Sequence, residues 1–414
     1  MPLVPMDQVR ALVLEACSTP LPAVELVLAE AVGCVVAEPV TAAEDVPPFA
    51  NTGMDGIAVR SADTAGASED APVGLRLMGL LAAGADPGPF HVGPGEAVRI
   101  MTGAPMPAGA DAVVMVERTS VVAEGTVRVH AEASRGDHIR AAGGDVRAGA
   151  VVFPAGAEIT PAGAGVLASI GRATVTVHRR PRVGVLSTGD ELVADDRPLR
   201  AGQIRESNRP ALLALCRQSG FDVVDLGTAV DDAATIRAAI RRGVAECDVV
   251  LTSGGVSMGE VDLVKVVLDE LSGGTFHWLQ VAIKPAKPFA FGLVGGTPVF
   301  GLPGNPVSSL VSFECFGRPA LRRLAGHPER RWGRRTITAT APDGFPRQGD
   351  GKLHLVRVGL TDKATPEDPA PPEARSSGGQ GSNVLTAMAF ADALALVPDG
   401  EGIRPGNPVT CWLL

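Results

Sequence analysis

The sequence predicts a multidomain protein of the α/β plus β class. It consists of a central α/β domain with a parallel-type sheet, an inserted β-rich domain and a small C-terminal β-barrel-like domain. Strand-like and helix-like segments alternate between residues 182 and 326, whereas short alternating runs rich in Gly and Pro fill residues 43–144 and recur after residue 331. The 414 residues are also too many for one ordinary core.

We therefore expect four domains, one of them discontinuous because of the insertion. Their predicted ranges are 1–44 with 146–180 for an N-terminal helical and linker domain, 45–145 for the inserted domain, 181–326 for the α/β domain and 327–414 for the C-terminal β domain.

The elements of the first two domains follow from their periodicity. A helical pattern covers residues 6–38, including a second helical stretch over 23–36, and helix-compatible sequence returns at 154–171 before an alternating strand at 173–178. In the inserted domain the predicted strands are 74–80, 97–101, 112–117 and 126–131.

The elements of the α/β domain alternate along the chain. The predicted strands are 183–187, 221–227 and 248–252, followed by extended segments over 275–300. The predicted helices are 207–219 with a capping serine, 231–246 with an Asp231–Asp232 cap, 260–271 and 306–324. Beyond residue 331, alternating runs predict a small β domain, interrupted by a long polar loop over 361–383.

Composition excludes several classes of protein. No apolar run approaches the roughly 18 to 20 residues of a spanning helix, and no secretory signal pattern opens the chain, so we expect a cytoplasmic protein. A net charge of −9 with 4% aromatic residues argues against general nucleic-acid binding. Six scattered cysteines predict buried reduced thiols, and the seven histidines lack zinc-ligand spacing.

A glycine turn is the most informative motif. In CDVVLTSGGVSMGEVD a β-rich run stops at Thr-Ser-Gly-Gly, where Gly254 and Gly255 let backbone N–H groups approach an anion. Gly254 to Gly259 has P-loop spacing, but Glu260 stands where the phosphate-binding lysine belongs, so a P-loop ATPase is disfavoured. The carboxylate of Asp262 could lie above this anion-binding glycine turn, or it could simply favour the first turn of the following helix.

Three further loops fall at similar junctions. STGDEL presents Asp190 and Glu191, which suit a metal or an acid/base role, or an ordinary capped turn. KPAKPFAFG holds Lys284 and Lys287 beside prolines, as an anion site or as surface lysines. GLPGNPVSS forms a stiff turn that leads to Ser308, for ligand binding or for helix entry. Such loops can meet in one cleft at the edge of a parallel sheet.

Polar turns also occur outside the α/β domain. Asp55 lies in MDG, Thr102 precedes Gly103 in MTGAPMPAGADAVV, and Asp145 ends AAGGD. A single aspartate in a glycine turn is usually a turn former. Three polar turns in an otherwise apolar module favour a functional role.

In this order the motifs closely resemble the molybdopterin molybdenumtransferase family, which includes the bacterial MoeA proteins and the E domain of gephyrin. The resemblance covers nearly the whole chain. It implies molybdenum cofactor biosynthesis by an elongated homodimer, with a cleft between the α/β domain of one subunit and the inserted domain of the other. The implied substrates are adenylylated molybdopterin and molybdate. Mg²⁺ is the implied cofactor, AMP is released, and contact with the adenylyltransferase is compatible with this role.

The resemblance also guides the roles that we expect of individual residues. Asp145, Glu191 and Asp262 position the metal or the attacking water, with Glu191 and Asp262 as metal ligands and Asp55 entering from the partner subunit. The expected substrate-binding residues are Thr102, Thr188, Asp190, Ser253, Gly254, Gly255, Ser257, Lys284, Lys287, Pro303, Gly304, Asn305, Pro306, Ser308, Arg357 and Ser382.

Two alternative functions remain open from the sequence. A molybdopterin adenylyltransferase would resemble residues 182–326 alone, but it has no need of the inserted and C-terminal segments. A non-catalytic cofactor-binding scaffold is the other alternative, because gephyrin indicates that this fold can anchor partners. The acidic residues in the loops favour catalysis.

Overall fold

The computed structural model of the chain describes residues 2–123, 125–256, 263–361 and 370–414. Within these ranges the α-helices are α1 Met6–Ala16, α2 Leu28–Ala31, α3 Pro161–Ser169, α4 Asn208–Gln218, α5 Ala233–Glu246, α6 Leu263–Leu271, α7 Pro306–Ser312, α8 Arg318–Leu324 and α9 Leu385–Ala389. A π-helical turn, Phe313–Gly317, joins α7 to α8. No helix in the described ranges is long and apolar enough to cross a membrane.

The strands divide among the same regions of the chain. Before the α/β domain they are β1 Leu3–Val4, β2 Ala23–Val27, β3 Val35–Val36, β4 Val40–Thr41, β5 Asn51–Thr52, β6 Gly56–Val59, β7 Val73–Leu81, β8 Glu96–Ile100, β9 Ala112–Met115, β10 Thr119–Ala123, β11 Thr126–Val129, β12 Ile139–Arg140, β13 Val151–Phe153 and β14 Thr174–His178. The α/β domain contains β15 Arg182–Thr188, β16 Leu192–Val193, β17 Ile204–Arg205, β18 Asp222–Ala229, β19 Val249–Ser253, β20 His277–Val281, β21 Ile283–Lys284, β22 Pro288–Val294 and β23 Thr297–Leu302. The remaining strands are β24 Thr336–Ala341, β25 Phe345–Pro346, β26 Leu353–Thr361, β27 Glu373–Ser376, β28 Ala393–Val397, β29 Gly402–Ile403 and β30 Asn407–Leu413.

The central sheet has seven strands in the order β1-β20-β22-β23-β19-β15-β18. The four strands β23, β19, β15 and β18 are mutually parallel, as predicted. In contrast, β22 runs antiparallel to both of its neighbours, so the sheet is mixed. The sequences of the parallel strands are mostly apolar because helices cover both faces of this part of the sheet.

The N-terminal segment splits between two cores. β1 extends the central sheet, and Val9 and Val13 of α1 are buried in the same core as β15 and β19. The helix predicted over residues 23–36 is wrong for its first part, because β2 pairs antiparallel with β14 over residues 23–27. Cross-strand pairing there outweighs the helical pattern, and only the short α2 follows.

The inserted domain is the predicted β module. Its sheet has six strands in the order β10-β11-β7-β8-β6-β9, with its own buried cores on the two faces.

The C-terminal domain is the predicted barrel. Strands β26, β27, β24, β30 and β28 form a ring that closes through pairing of β28 with β26. The polar segment predicted as a continuous loop contains β27, which pairs with β26. All six cysteines are free and buried, as expected.

Candidate active site

A cleft of about 700 Å³ opens at the carboxyl ends of β15, β18, β19 and β23, where the loops that follow these strands meet. This is the edge at which open α/β sheets bind ligands. Its lining residues in the described ranges are Thr188, Gly189, Glu191, Ile204, Asp231, Gly254, Gly255, Val256, Leu263, Val264, Pro288, Pro303, Gly304 and Asn305. The structure therefore brings the STGDEL, TSGG and LPGN loops together.

The glycine turn forms the floor of this cleft. β19 ends at the buried Ser253, and Gly254 follows with φ +98°. A Cβ on Gly254 would lie 2.8 Å from the carbonyl oxygen of Thr188, so the turn packs against β15 in a way that only glycine allows. Gly304 of the LPGN loop is also close, because its added Cβ would lie 3.7 Å from the Cα of Gly254.

Two carboxylates face the cleft from neighbouring loops. Glu191 folds back over Gly189, since an added Cβ there would lie 2.3 Å from Glu191 Oε2. Asp231 comes from the loop after β18. Its backbone N–H donates to Asp190 Oδ1 at 2.9 Å, and the Asp190 N–H donates to Asp231 Oδ2 at 3.4 Å. These reciprocal bonds hold the two acidic loops together.

Sequence reasoning missed Asp231 because it treated the Asp231–Asp232 pair as a helix cap. Only the second aspartate caps α5: Asp232 Oδ2 accepts from the Thr235 N–H at 2.8 Å. Two adjacent aspartates where one suffices for capping were the available signal.

Asn208, also missed from the sequence, ties two loops of the cleft together. Its Nδ2 donates to Ser253 Oγ at 2.8 Å and to the carbonyl oxygen of Gly304 at 2.7 Å. Because a carbonyl oxygen can only accept, the atom facing Gly304 must be the amide nitrogen. Ser253 Oγ therefore accepts from Asn208, and it also lies 3.5 Å from Ser309 Oγ, with which it can share a hydrogen bond.

The predicted serine cap of α4 is wrong. Ser207 precedes the helix but makes no side-chain cap bond. Instead Glu206 Oε1 accepts from the N–H groups of Asn208 and Arg209 at 2.8 and 3.1 Å. This glutamate therefore orients the first turn of α4, from which Asn208 reaches the cleft.

We expect Asn208→Asp to loosen the LPGN loop, because a carboxylate oxygen cannot donate to the carbonyl of Gly304. The Gly304 carbonyl is exposed, so loss of this hydrogen bond costs about 0.5 to 1.5 kcal/mol. Hydrogen exchange of the backbone N–H groups within 301–307 should accelerate by up to about tenfold at that cost. Asn407→Asp, at an exposed strand end, is the matched control. Equal exchange in the two variants would contradict the role of Asn208.

Six predicted residues of the α/β domain are not in the described lining of the cleft: Asp190, Ser253, Lys284, Lys287, Pro306 and Ser308. Lys284 is exposed on β21, which pairs with β26 of the barrel. Lys287 is exposed immediately before the cleft-lining Pro288. Ser308 is buried, and its Oγ accepts from the N–H of Ala286 at 3.3 Å, which joins the KPAKP loop to α7. Pro306 is the first residue of α7.

Arg357 and Ser382 hold the barrel against α7. The Arg357 guanidinium is 1% exposed and donates through one nitrogen to the carbonyls of Gly379 and Gly381 at 3.2 and 3.0 Å. Burial lowers the pKa of Arg357. The carbonyl of Ser382 accepts from the Val307 N–H at 3.1 Å. Arg357 thus fixes a loop that contacts the helix following LPGN.

The remaining predicted residues lie in the first part of the chain. Asp55 and Thr102 are exposed neighbours, with the Thr102 N–H and O–H both donating to Asp55 Oδ1 at 2.7 Å. These bonds hold the pKa of Asp55 below its ordinary value. Asp145 is exposed in a separate groove of about 580 Å³ formed by residues 141–152. None of the three is in the described lining of the α/β cleft.

The predictions for Ser257 and Asp262 lie outside the described residues, as does Glu260. Among the residues that are described, no group of three or more Asp, Glu, His or Cys side chains is placed to hold a metal ion. The carboxylates that line the cleft there are Glu191 and Asp231.

Fold and site together define a multidomain α/β protein with a cleft suited to small anionic ligands. Family models match most of the chain: the MoeA N-terminal region (domain I and II) at residues 4–171, a probable molybdopterin binding domain at 184–323, and the MoeA C-terminal region (domain IV) at 338–414.

Curated relatives extend this match. The chain is 39% identical to molybdopterin molybdenumtransferase 2 of Mycobacterium tuberculosis over 391 residues, which cover 93% of each chain. It is 35% identical to molybdopterin molybdenumtransferase of Haemophilus influenzae over 406 residues, 98% of this chain and 97% of the relative. The chain belongs to the molybdopterin molybdenumtransferase family.

Solved structures agree with this assignment. Two crystal structures of the molybdopterin biosynthesis MoeA protein from Pyrococcus horikoshii match over the whole of this chain, at TM-scores of 0.82 and 0.77 with 27% and 30% identity. The matched regions span 100% and 99% of the two Pyrococcus chains, respectively.

Proposed function

We propose that the protein inserts molybdate into adenylylated molybdopterin, with Mg²⁺-dependent hydrolysis of the pyrophosphate and release of AMP. It is a transferase of molybdenum cofactor biosynthesis. One observation carries the proposal: the glycine turn at Gly254 and Gly255 and the carboxylates Glu191 and Asp231 face the same 700 Å³ space.

The glycine turn and Ser253 suit the anionic part of the substrate. Backbone N–H groups at the end of a parallel strand bind phosphate oxygens without the desolvation cost of a buried charge. The Ser253 hydroxyl is oriented by Asn208, which donates to its Oγ, and by Ser309, whose Oγ lies 3.5 Å away. Ser253, Gly254 and Gly255 therefore hold a phosphate of adenylylated molybdopterin, and the exposed Lys284 and Lys287 attract molybdate or its phosphate neighbour.

The carboxylates suit an oxygen-bound cation. Glu191 and Asp231 supply the hard oxygen ligands that Mg²⁺ prefers, and Asp262 is the third candidate by sequence. When bound, Mg²⁺ neutralises charge on the phosphoric anhydride. The Glu191 side chain, held over Gly189, orients the metal or the attacking water toward the anhydride.

A homodimer completes the proposed site. Asp55 and Thr102 form an exposed polar pair outside the cleft of their own chain. Two hydrogen bonds from Thr102 lower the pKa of Asp55 and so favour its anionic form. In the proposed dimer this pair reaches the α/β cleft of the partner subunit, and Asp145 borders the same interface. Contact with the adenylyltransferase would allow direct delivery of the substrate.

The test is AMP release by the purified protein with adenylylated molybdopterin, molybdate and Mg²⁺. Glu191→Gln should lower the rate by about 10²-fold or more, as expected for a lost general base or metal ligand. Glu191 is exposed, so the fold and the oligomeric state should be unchanged. Asp196→Asn, an exposed carboxylate nearby in the chain, should keep the wild-type rate.

Other outcomes would point to other functions. Full turnover by Glu191→Gln would reject the assigned role of this residue. Consumption of ATP with plain molybdopterin would indicate an adenylyltransferase, and ligand binding without turnover would indicate a scaffold.

A further inference from the structure

A second cleft, of about 630 Å³, lies between α8 and the start of the barrel, and six arginines dominate its wall. We call it the arginine cleft; its arginines are Arg318, Arg322, Arg330, Arg331, Arg334 and Arg335, and Leu413 and Leu414 line the rest with Gly333 and Thr336. The run from α7 to α8 separates it from the active-site cleft. At 1.5 Å per residue, Arg322 lies roughly 25 Å from Asn305 along the helix axis.

Carboxylates compensate only part of this charge. Glu314 accepts from Arg318 and Arg334, and Glu158 accepts from Arg322 at 3.2 Å and Arg331 at 2.8 Å. Each carboxylate is thus shared by two guanidinium groups.

The last two arginines add uncompensated charge. Arg330 and Arg335 are exposed and have no ion pair among the described residues. Even with a terminal carboxylate counted on Leu414, six positive groups face three negative ones.

The pKa values of two side chains at this cleft are lowered. Burial, together with the charges of Arg322 and Arg331, lowers the pKa of His327 to about 3. Its Nδ1 lies 3.2 Å from a nitrogen of Arg322, which can only donate, so this imidazole nitrogen carries no proton. Burial also lowers the pKa of Arg322, and repulsion from Arg318 and Arg331 adds to the effect, although Glu158 opposes it. A bound anion would relieve this repulsion.

We infer that the arginine cleft binds a small anion that carries two or more phosphate groups. Guanidinium groups present planar pairs of N–H donors that match phosphate oxygens, and arginine remains charged when partly buried. Glu314 and Glu158 hold four of the six groups in place, which reduces the entropic cost of binding. Arg330 and Arg335 supply the charge that the anion neutralises.

The position of this site suggests what binding does. The lining arginines come from α8 and from the segment 330–335 that leads into the barrel, and Leu413 and Leu414 lie at the end of the barrel. A bound polyphosphate would therefore link α8 to the barrel, and it should raise the melting temperature of the protein.

Isothermal titration with pyrophosphate at about 150 mM salt tests the site, because nonspecific attraction is screened there. We expect saturable binding to the wild-type protein and at least tenfold weaker binding to Arg330→Ala/Arg335→Ala. The control Arg128→Ala/Arg241→Ala removes the same charge from exposed positions outside both clefts and should bind like wild type.

Pyrophosphate could also enter the active-site cleft, so AMP release is measured in parallel. Arg330→Ala/Arg335→Ala should keep the wild-type rate, which separates this site from the proposed function. No saturable binding to the wild type, or equal binding by both double variants, would overturn the inference. Binding of an acidic peptide such as polyglutamate without pyrophosphate binding would also overturn it, in favour of a protein partner.

Discussion

Replacing Gly254 with alanine is expected to abolish most of the activity while leaving the fold intact. Gly254 has φ +98°, where an L-residue costs about 1 to 2 kcal/mol. The added methyl group would also lie 2.8 Å from the Thr188 carbonyl oxygen and 3.0 Å from Thr188 Oγ1. Thr188 cannot move away easily, because it pairs with Ala229 inside the central sheet.

The turn must therefore shift away from β15, and its N–H groups leave the positions that the substrate phosphate requires. Displacement of about 1 Å at such a site can cost on the order of 10²-fold in rate. AMP release from adenylylated molybdopterin should fall by about that factor, with affinity for the substrate reduced in the same variant.

Gly220→Ala provides the matched control. Gly220 has φ +85°, but an added Cβ there meets no atom within 4 Å. Gly220 lies just before the amino end of β18, whereas the cleft is at the carboxyl end of this strand. The variant therefore bears similar backbone strain without the clash. Equal loss of activity in both variants would mean that strain alone, rather than the position of the glycine turn, explains the effect.

Much of this site could be predicted from interactions between residues that are close in the sequence. The end of β19 at Ser253, the Asp232 cap of α5 and the LPGN entry to α7 each follow from neighbouring residues. Parallel strands share one edge, so loops that are distant in sequence could be expected to meet there.

Features that depend on distant partners were not predictable in this way. Residues 23–27 form a strand because β14, about 150 residues later, pairs with them. The link from Asn208 to Ser253 and Gly304 joins the start of α4, the end of β19 and the LPGN loop, and no local pattern marks it. The same holds for the pairing of Glu158 with Arg322 across the domains.

Glu314 is expected to be the carboxylate whose loss destabilises the protein most. It lies in the π-helical turn between α7 and α8, and its side chain is 1% exposed. Its two oxygens accept from Arg318 at 2.6 and 3.3 Å and from Arg334 at 2.8 Å each. Glu314→Gln would leave two largely buried guanidinium groups without a counter-charge, which costs about 3 to 5 kcal/mol.

Denaturant unfolding followed by tryptophan fluorescence measures this loss. Trp278, Trp332 and Trp412 report on the α/β domain, on its junction with the barrel and on the barrel itself. The control is Glu246→Gln, which breaks the exposed Arg242–Glu246 pair with the same four-residue spacing. That variant should lose less than about 1 kcal/mol, and equal losses would contradict the role of Glu314.

The dependence on pH gives an independent check. Ion pairs with Arg334 and Arg318 outweigh burial and hold the pKa of Glu314 below its ordinary value of 4.5. A depressed pKa in the folded state contributes stability above pH 4.5, and this contribution is lost as the pH falls toward the folded-state pKa. The difference in unfolding free energy between wild type and Glu314→Gln should therefore be constant near neutrality and shrink below pH 4.5, because a protonated Glu314 resembles glutamine.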